Sequence, residues 1–151
     1  MNVKSKDTMN SLADELRSHV TNQILKGLLG VMCKVFALSS KGTLKRYGPL
    51  KGLSKNIEGF NGRYLFGTFD GTHVGVVFKD DVMSVFDEEI PDWDIKVMFK
   101  SDAVLLDFLL FGKMDILKPL LHNHVEVEGN MNYLAKFGFM ARDLLNRCGL
   151  L

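Results

Sequence analysis

Residues 102–111 read DAVLLDFLLF, and this decapeptide constrains the fold more than any other stretch of the chain. Eight of the nine residues from 103 to 111 are apolar, and Asp107 is the one charge among them. Ser101 ahead of them is a good N-cap, because its hydroxyl accepts from a free backbone N–H at the start of a helix. Asp102 suits the positive end of the helix dipole. The pattern predicts a helix over 102–111 that is apolar round nearly its whole circumference. Such a helix must be covered all round. A sheet covers one side only, so the other side requires a second helix, a partner subunit or a bound apolar ligand.

The following residues extend the theme. Gly112 is placed to end the helix. A second short helix is expected over 114–121 from Met114, Ile116, Leu117, Leu120 and Leu121, with Pro119 restricting its length. Residues 124–128 alternate, which predicts a strand with Val125 and Val127 facing inward. Gly129-Asn130 ends that strand, and Asn130 suits the N-cap of a last helix over 131–146. That helix carries Leu134, Phe137, Met140, Ala141 and Leu144 at spacings of three and four.

From Gly62 onward the period is two, and strands are expected over 63–69, 73–78, 82–86 and 93–99. Asp70-Gly71 predicts a type I′ hairpin turn, whose positive φ angles these residues tolerate. With 124–128 the strands number five. Strands followed by helices predict an α+β fold: a five-stranded, largely antiparallel sheet covered on one face by helices, enclosing an apolar cavity.

The N-terminal third is harder to read. A helix is expected over 7–29, with Leu12, Leu16, Val20, Ile24 and Leu28 recurring every four residues. Gly27 and Gly30 weaken its end, and 31–38 continue it after a kink. Packing on the body is the default for this segment; membrane attachment or dimerisation are the alternatives. Residues 24–38 are strongly apolar, but Lys26 and Lys34 interrupt them and they are too short to cross a bilayer. Residues 39–61, rich in Gly, Ser and Lys, form a connector with a helical turn near 50–57. The length of 151 residues fits one domain: a leading helical segment 1–38, the connector 39–61 and a body 62–151.

The order of elements in the C-terminal half has a known counterpart. An apolar helix ends in Gly112-Lys113; a helix, an alternating strand and Gly129-Asn130-Met131 follow; a final helix contains Leu134-Ala135-Lys136. This order resembles the sterol carrier protein type-two family of small lipid-binding domains over about 62–147. That family often has a proline soon after the Gly-Lys, whereas here it is Pro119. It also often has a Gly-Lys turn before the last strand, where this chain has His122-Asn123-His124. The resemblance implies a tunnel between sheet and helices. It also implies a non-catalytic role with an apolar ligand: a sterol, fatty acyl chain, phospholipid or isoprenoid quinone. The residues expected to line the tunnel are Leu105, Phe108, Leu109, Met114, Leu117, Leu121, Phe137 and Met140. Eight Met and eleven Phe fit a site of irregular apolar shape. The alternative is an interaction module that presents the same apolar surface to a lipid- or quinone-metabolising assembly or to a second copy of itself.

The net charge of +1 conceals a division. Residues 1–56 hold ten Lys/Arg against three Asp/Glu, and residues 57–151 hold nine against fifteen. Lys41, Lys45, Arg46, Lys51 and Lys55 concentrate the positive end. Each such side chain near an anionic membrane contributes about 1 kcal/mol, so a membrane surface is one expected partner; a solvated basic loop is the plainer reading. Basic residues are not interleaved with aromatics on any strand, so nucleic acid is not an expected partner.

No catalytic or cofactor motif stands out. There is no Walker loop, GxGxxG or GxSxG, and Gly67, Gly71 and Gly75 precede no helix that would receive a phosphate. The acids between Asp80 and Asp94 lack EF-hand spacing and read as solvated hairpin tips. His122 and His124 would share a strand face, but no further ligand completes a metal site. Cys33 and Cys148 form no CxxC and are expected as free buried thiols. The opening residues are polar, without a signal-peptide pattern. A cytoplasmic protein, at most peripheral to a membrane, is expected, with no cofactor and no metal.

Overall fold

The computed structural model describes residues 3–40, 48, 50–111 and 115–149. Five strands form one sheet: β1 (Gly62–Thr68), β2 (His73–Lys79), β3 (Val82–Phe86), β4 (Ile95–Phe99) and β5 (Val125–Gly129). Their spatial order is β3-β2-β1-β4-β5. Three of the four pairings are antiparallel, and β1 with β4 is parallel. The fold is α+β, as the sequence predicts.

Strand alternation makes one face of the sheet apolar from edge to edge. The register aligns Tyr64 with Val76 and Ile95, and Phe66 with Val74 and Val97. Val76 continues to Val85, and Val97 to Val127. Side chains two apart on a strand share a face, so these positions form a single wall. The helices lie against it: α1 (Val3–Ser39), α2 (Asp102–Phe111), α3 (Leu117–Leu121) and α4 (Met131–Arg147). Leu25, Leu29, Met32 and Phe36 of α1, Leu105 of α2, and Leu134, Met140, Ala141 and Leu144 of α4 join the wall in one buried cluster.

The opposite face is covered by chain without regular structure. The link from β3 to β4 crosses it, because β4 must reach the far side of β1. Ile90 of this link lies over Gly75; a Cβ there would stand 2.6 Å from the Ile90 Cγ2. The Arg63 guanidinium donates to the Pro91 carbonyl at 3.1 Å, and the Arg63 N–H donates to the Asp94 carboxylate at 2.8 Å. A bare backbone at position 75 and two hydrogen bonds from β1 thus hold the crossover down.

The two expected helix caps are present. The Ser101 hydroxyl accepts from the Val104 N–H at 3.2 Å, and the Asn130 side chain accepts from the Asn132 N–H at 3.0 Å. Asp102 is 1% exposed and accepts from the hydroxyls of Thr68 and Thr72 at 2.6 and 2.8 Å, while its own N–H donates to Asp70 at 2.8 Å. The start of α2 is thereby fastened to the β1–β2 turn.

Three local expectations are corrected. Asp70-Gly71 is not a type I′ turn: among the residues of that turn only Gly71, at φ 112°, has positive φ. The Thr68 N–H bonds the Thr72 carbonyl across three intervening residues, a longer hairpin loop that needs one left-handed position. The type I′ geometry lies at the next hairpin. Asp80 and Asp81 have φ 53° and 63° and join the paired residues Lys79 and Val82. Second, α1 is one helix of 37 residues, longer than the expected 7–29 and with 31–38 inside it. Third, its every-fourth-residue stripe is not the buried face. Leu12, Leu16, Val20 and Leu28 are exposed, and the buried line is Thr21, Leu25, Leu29, Met32 and Phe36. Residues 3–17 are exposed throughout.

The Gly112-Lys113 turn expected to end the 102–111 helix lies outside the described residues. The free thiols also differ from expectation: Cys33 is half-buried but Cys148 is exposed.

Candidate functional site

The remaining surface of α2 is covered by α1, which packs on it as well as on β2 and β3. Coverage is incomplete. Between α1, α2, α4 and the sheet wall lies a cleft of about 690 Å³. That volume is within the range of sites that bury a whole small molecule. Its floor is Phe66, Val97 and Phe99 from the sheet. Its walls are Leu25, Leu29 and Met32 from α1, Leu105, Phe108 and Leu109 from α2, and Leu134 and Phe137 from α4. The space is an open cleft and not the enclosed cavity expected from the sequence, because several side chains at its mouth are exposed: Leu28, Val31, Leu117, Met131 and Phe139.

Each wall has a local cause. Ser101 and the Asp102 network fix the first turn of α2, which sets Leu105 (1% exposed) and Phe108 above the sheet. Phe108 packs on Phe99 with ring centroids 5.2 Å apart. The Asn130 cap starts α4 so that Phe137 meets Tyr64 at 5.2 Å and Phe66 at 4.9 Å. The Tyr64 hydroxyl donates to the Tyr133 carbonyl at 2.7 Å, which pins α4 to β1. Burial, with Tyr133 and Asp94 adding to it, pushes the Tyr64 phenol well above its usual range, so it remains a neutral donor. Arg142, Asp143 and Asn146 of α4 also line the cleft, and Arg142 faces Asp115 at 3.8 Å.

Of the residues expected from sequence to line a tunnel, Leu105, Phe108, Leu109, Leu117 and Phe137 line this cleft. Met140 is fully buried in the core beneath it, and Leu121 on α3 is exposed away from it. Met114 lies outside the described residues. The contribution of α1 was missed, although Leu25, Leu29 and Met32 also recur every three or four residues. A helix with apolar residues on two sides does not declare which side the body takes.

The basic cluster is described only at Lys51 and Lys55, both exposed near a 3-10 turn (Leu53–Asn56); Lys41, Lys45 and Arg46 lie outside the described residues. His122 ends α3 and its Nδ1 lies 2.8 Å from the Lys118 carbonyl, so it is not a strand partner of His124. Among the described residues no group of three or more His, Cys, Asp or Glu is placed to hold a metal ion. No helix among them is long and apolar enough to cross a membrane.

No protein-family model matches the chain, and no curated protein matches it in sequence. Solved structures match it in shape. The ubiquinone synthesis protein UbiJ-SCP2 does so with a TM-score of 0.50 at 17% identity, over 78% of this chain and 85% of that one. Sterol Carrier Protein 2 from Yarrowia lipolytica, in its apo form, gives 0.50 at 18% identity, over 76% and 87%. The fold is SCP2-like. The inverting sec-alkylsulfatase Pisa1 from Pseudomonas sp. matches at a TM-score of 0.48 and 16% identity, and this chain spans 14% of its length. In the SCP2-like fold of this chain, the apolar cleft lies on the helix-covered face of the sheet.

Proposed function

We propose that this chain binds an apolar, lipid-like ligand in the cleft and carries it without catalysis. The observation that supports the reading is the cleft's lining, in which apolar side chains from the sheet, α1, α2 and α4 predominate. Water in such a space gains few hydrogen bonds, and an apolar chain that displaces it gains about 0.8 kcal/mol per buried methylene. Ten methylenes gain on the order of 8 kcal/mol gross, from which the loss of ligand freedom is subtracted. Leu105, Phe108, Leu109, Leu117 and Phe137 are the proposed contacts, with Leu25, Leu29 and Met32 opposite them. Sterols, fatty acyl chains, phospholipids and isoprenoid quinones are the ligand classes. Cytoplasmic residence fits the two free thiols.

Mass spectrometry of protein purified from its own host, native and then after solvent extraction, tests the proposal. A stoichiometric lipid or quinone supports it and identifies the class. An empty protein that also takes up no fluorescent fatty acid or sterol refutes it. A second reading is favoured by one specific observation, the exposed apolar residues along α1. Under it the chain is an accessory module of a lipid- or quinone-metabolising assembly, or a homodimer.

A further inference from the structure

A second space, polar where the cleft is apolar, lies where α1 meets the β1–β2 turn and the end of β3. It is a recess of about 330 Å³, at the small end of ligand sites. Glu15, Ser18, His19 and Asn22 line it from α1, and Thr72, His73 and Asp87 from the sheet side. It shares no lining residue with the cleft, so it is independent of the lipid reading.

The hydrogen bonds around the recess leave it rich in acceptors. The Thr72 hydroxyl gives its proton to the Asp102 carboxylate at 2.8 Å. The Ser18 hydroxyl, 3.3 Å from the Thr72 oxygen, is therefore the donor of that pair. Both O–H bonds point toward a carboxylate that is 1% exposed, and hydrogen bonds in a chain polarise one another. The lone pairs of Ser18 Oγ remain free to accept. His73 Nδ1 lies 3.0 Å from the Gly71 carbonyl, which can only accept, so Nδ1 carries a proton and Nε2 of the neutral ring is an acceptor. Asp87 accepts from Asn22 Nδ2 at 3.2 Å and from Lys26 Nζ at 2.7 Å. The Asn22 amide oxygen is buried and has no donor among the described residues. Glu15 adds an exposed carboxylate. The Thr72, Asn22 and His73 Nδ1 protons are thus already given to protein acceptors, and the unmet capacity is for donors.

Charge points the same way. Glu15, Asp87 and, behind Thr72, Asp102 bring three carboxylates together, and Lys26 neutralises Asp87. The positive end of α2 offsets Asp102 in part, and Arg17 is turned to Asp14 at 3.6 Å. A metal ion needs ligands that converge on one point, and among the described residues no three His, Cys, Asp or Glu do so. The N–H groups of a guanidinium or an ammonium diverge, and each can meet a separate acceptor. We propose that this recess binds a small organic cation with several N–H donors, a guanidinium or primary ammonium compound.

Titration of the full chain with agmatine at low ionic strength, followed by amide NMR shifts, tests the proposal. Agmatine carries a guanidinium at one end and an ammonium at the other. Tetramethonium, a dication of similar length without N–H groups, is the control for charge alone. Agmatine should give saturable shifts at Ser18, His19, Asn22 and His73, and tetramethonium should not. Glu15→Gln, at an exposed position that leaves the fold intact, should weaken agmatine about fivefold. Ser18→Ala removes the acceptor at the end of the hydroxyl chain and should weaken it about as much. No saturable shift, an equal response to tetramethonium, shifts confined to the cleft, or parent affinity in both variants overturns the proposal. Binding of agmatine by a chain that takes up no fluorescent fatty acid would refute the cleft reading and leave this one standing.

Discussion

Leu109→Arg separates folding from ligand binding at the proposed site. Leu109 is half-buried and packs against the core cluster from the cleft wall. An arginine there can run its stem along the apolar wall and keep its guanidinium in the open cleft. The empty variant should therefore fold, losing no more than about 1–3 kcal/mol. With ligand present the balance changes. About three methylenes of a bound chain lie against one leucyl side chain, and if they remain wet about 2.4 kcal/mol of transfer energy is lost. That is about a fiftyfold rise in Kd, and removing water from the guanidinium adds further cost. Fluorescent fatty-acid titration measures the loss, and circular dichroism with a thermal melt verifies the fold. A folded Leu109→Arg variant that binds with the parent's affinity would refute the cleft as the binding site.

Other perturbations test other parts of the structure. Phe137 packs on Tyr64, Phe66 and Phe78, so Phe137→Ala should cost about 3–5 kcal/mol, read as a lower midpoint in urea unfolding; an unchanged midpoint would show that the cluster does not hold α4. Asp87 is kept below the usual carboxylate range, chiefly by the hydrogen bond from Lys26 and then by that from Asn22. Its folded-state pKa is depressed, so its contribution is present above the ordinary carboxylate range and is lost as pH falls through the lowered value. Melting temperatures of the parent and Asp87→Asn should differ near neutral pH and converge in acid, and a constant gap would exclude this clamp. Burial raises the Cys33 thiol, and Cys148 is exposed; iodoacetamide should therefore modify Cys148 first, as peptide mass mapping would show.

Much of the body was legible because its signals are local. Period-two alternation from Gly62 onward marked the strands to within about two residues, since each strand has one face buried and must write that fact into its sequence. Ser101 and Asn130 announced helix starts through chemistry that acts within three residues. The turn assignments were less secure. Asp70-Gly71 and Asp80-Asp81 both tolerate positive φ, and which hairpin closes in two residues depends on the pairing of Lys79 with Val82, a cross-strand fact.

By itself the sequence determined an α+β fold and an apolar helix needing cover on every side. Only the tertiary structure decided what supplies that cover. The α1 helix carries apolar residues on two faces, and hydrophobic periodicity identifies faces without ranking them. The line through Leu25, Leu29, Met32 and Phe36 is inside because it fits the sheet wall and α2, and the line through Leu12, Leu16 and Val20 is left outside. The cleft has the same origin. It is the volume that α1, α2 and α4 fail to fill together, and an unfilled volume belongs to the packing of separate elements, not to any one of them.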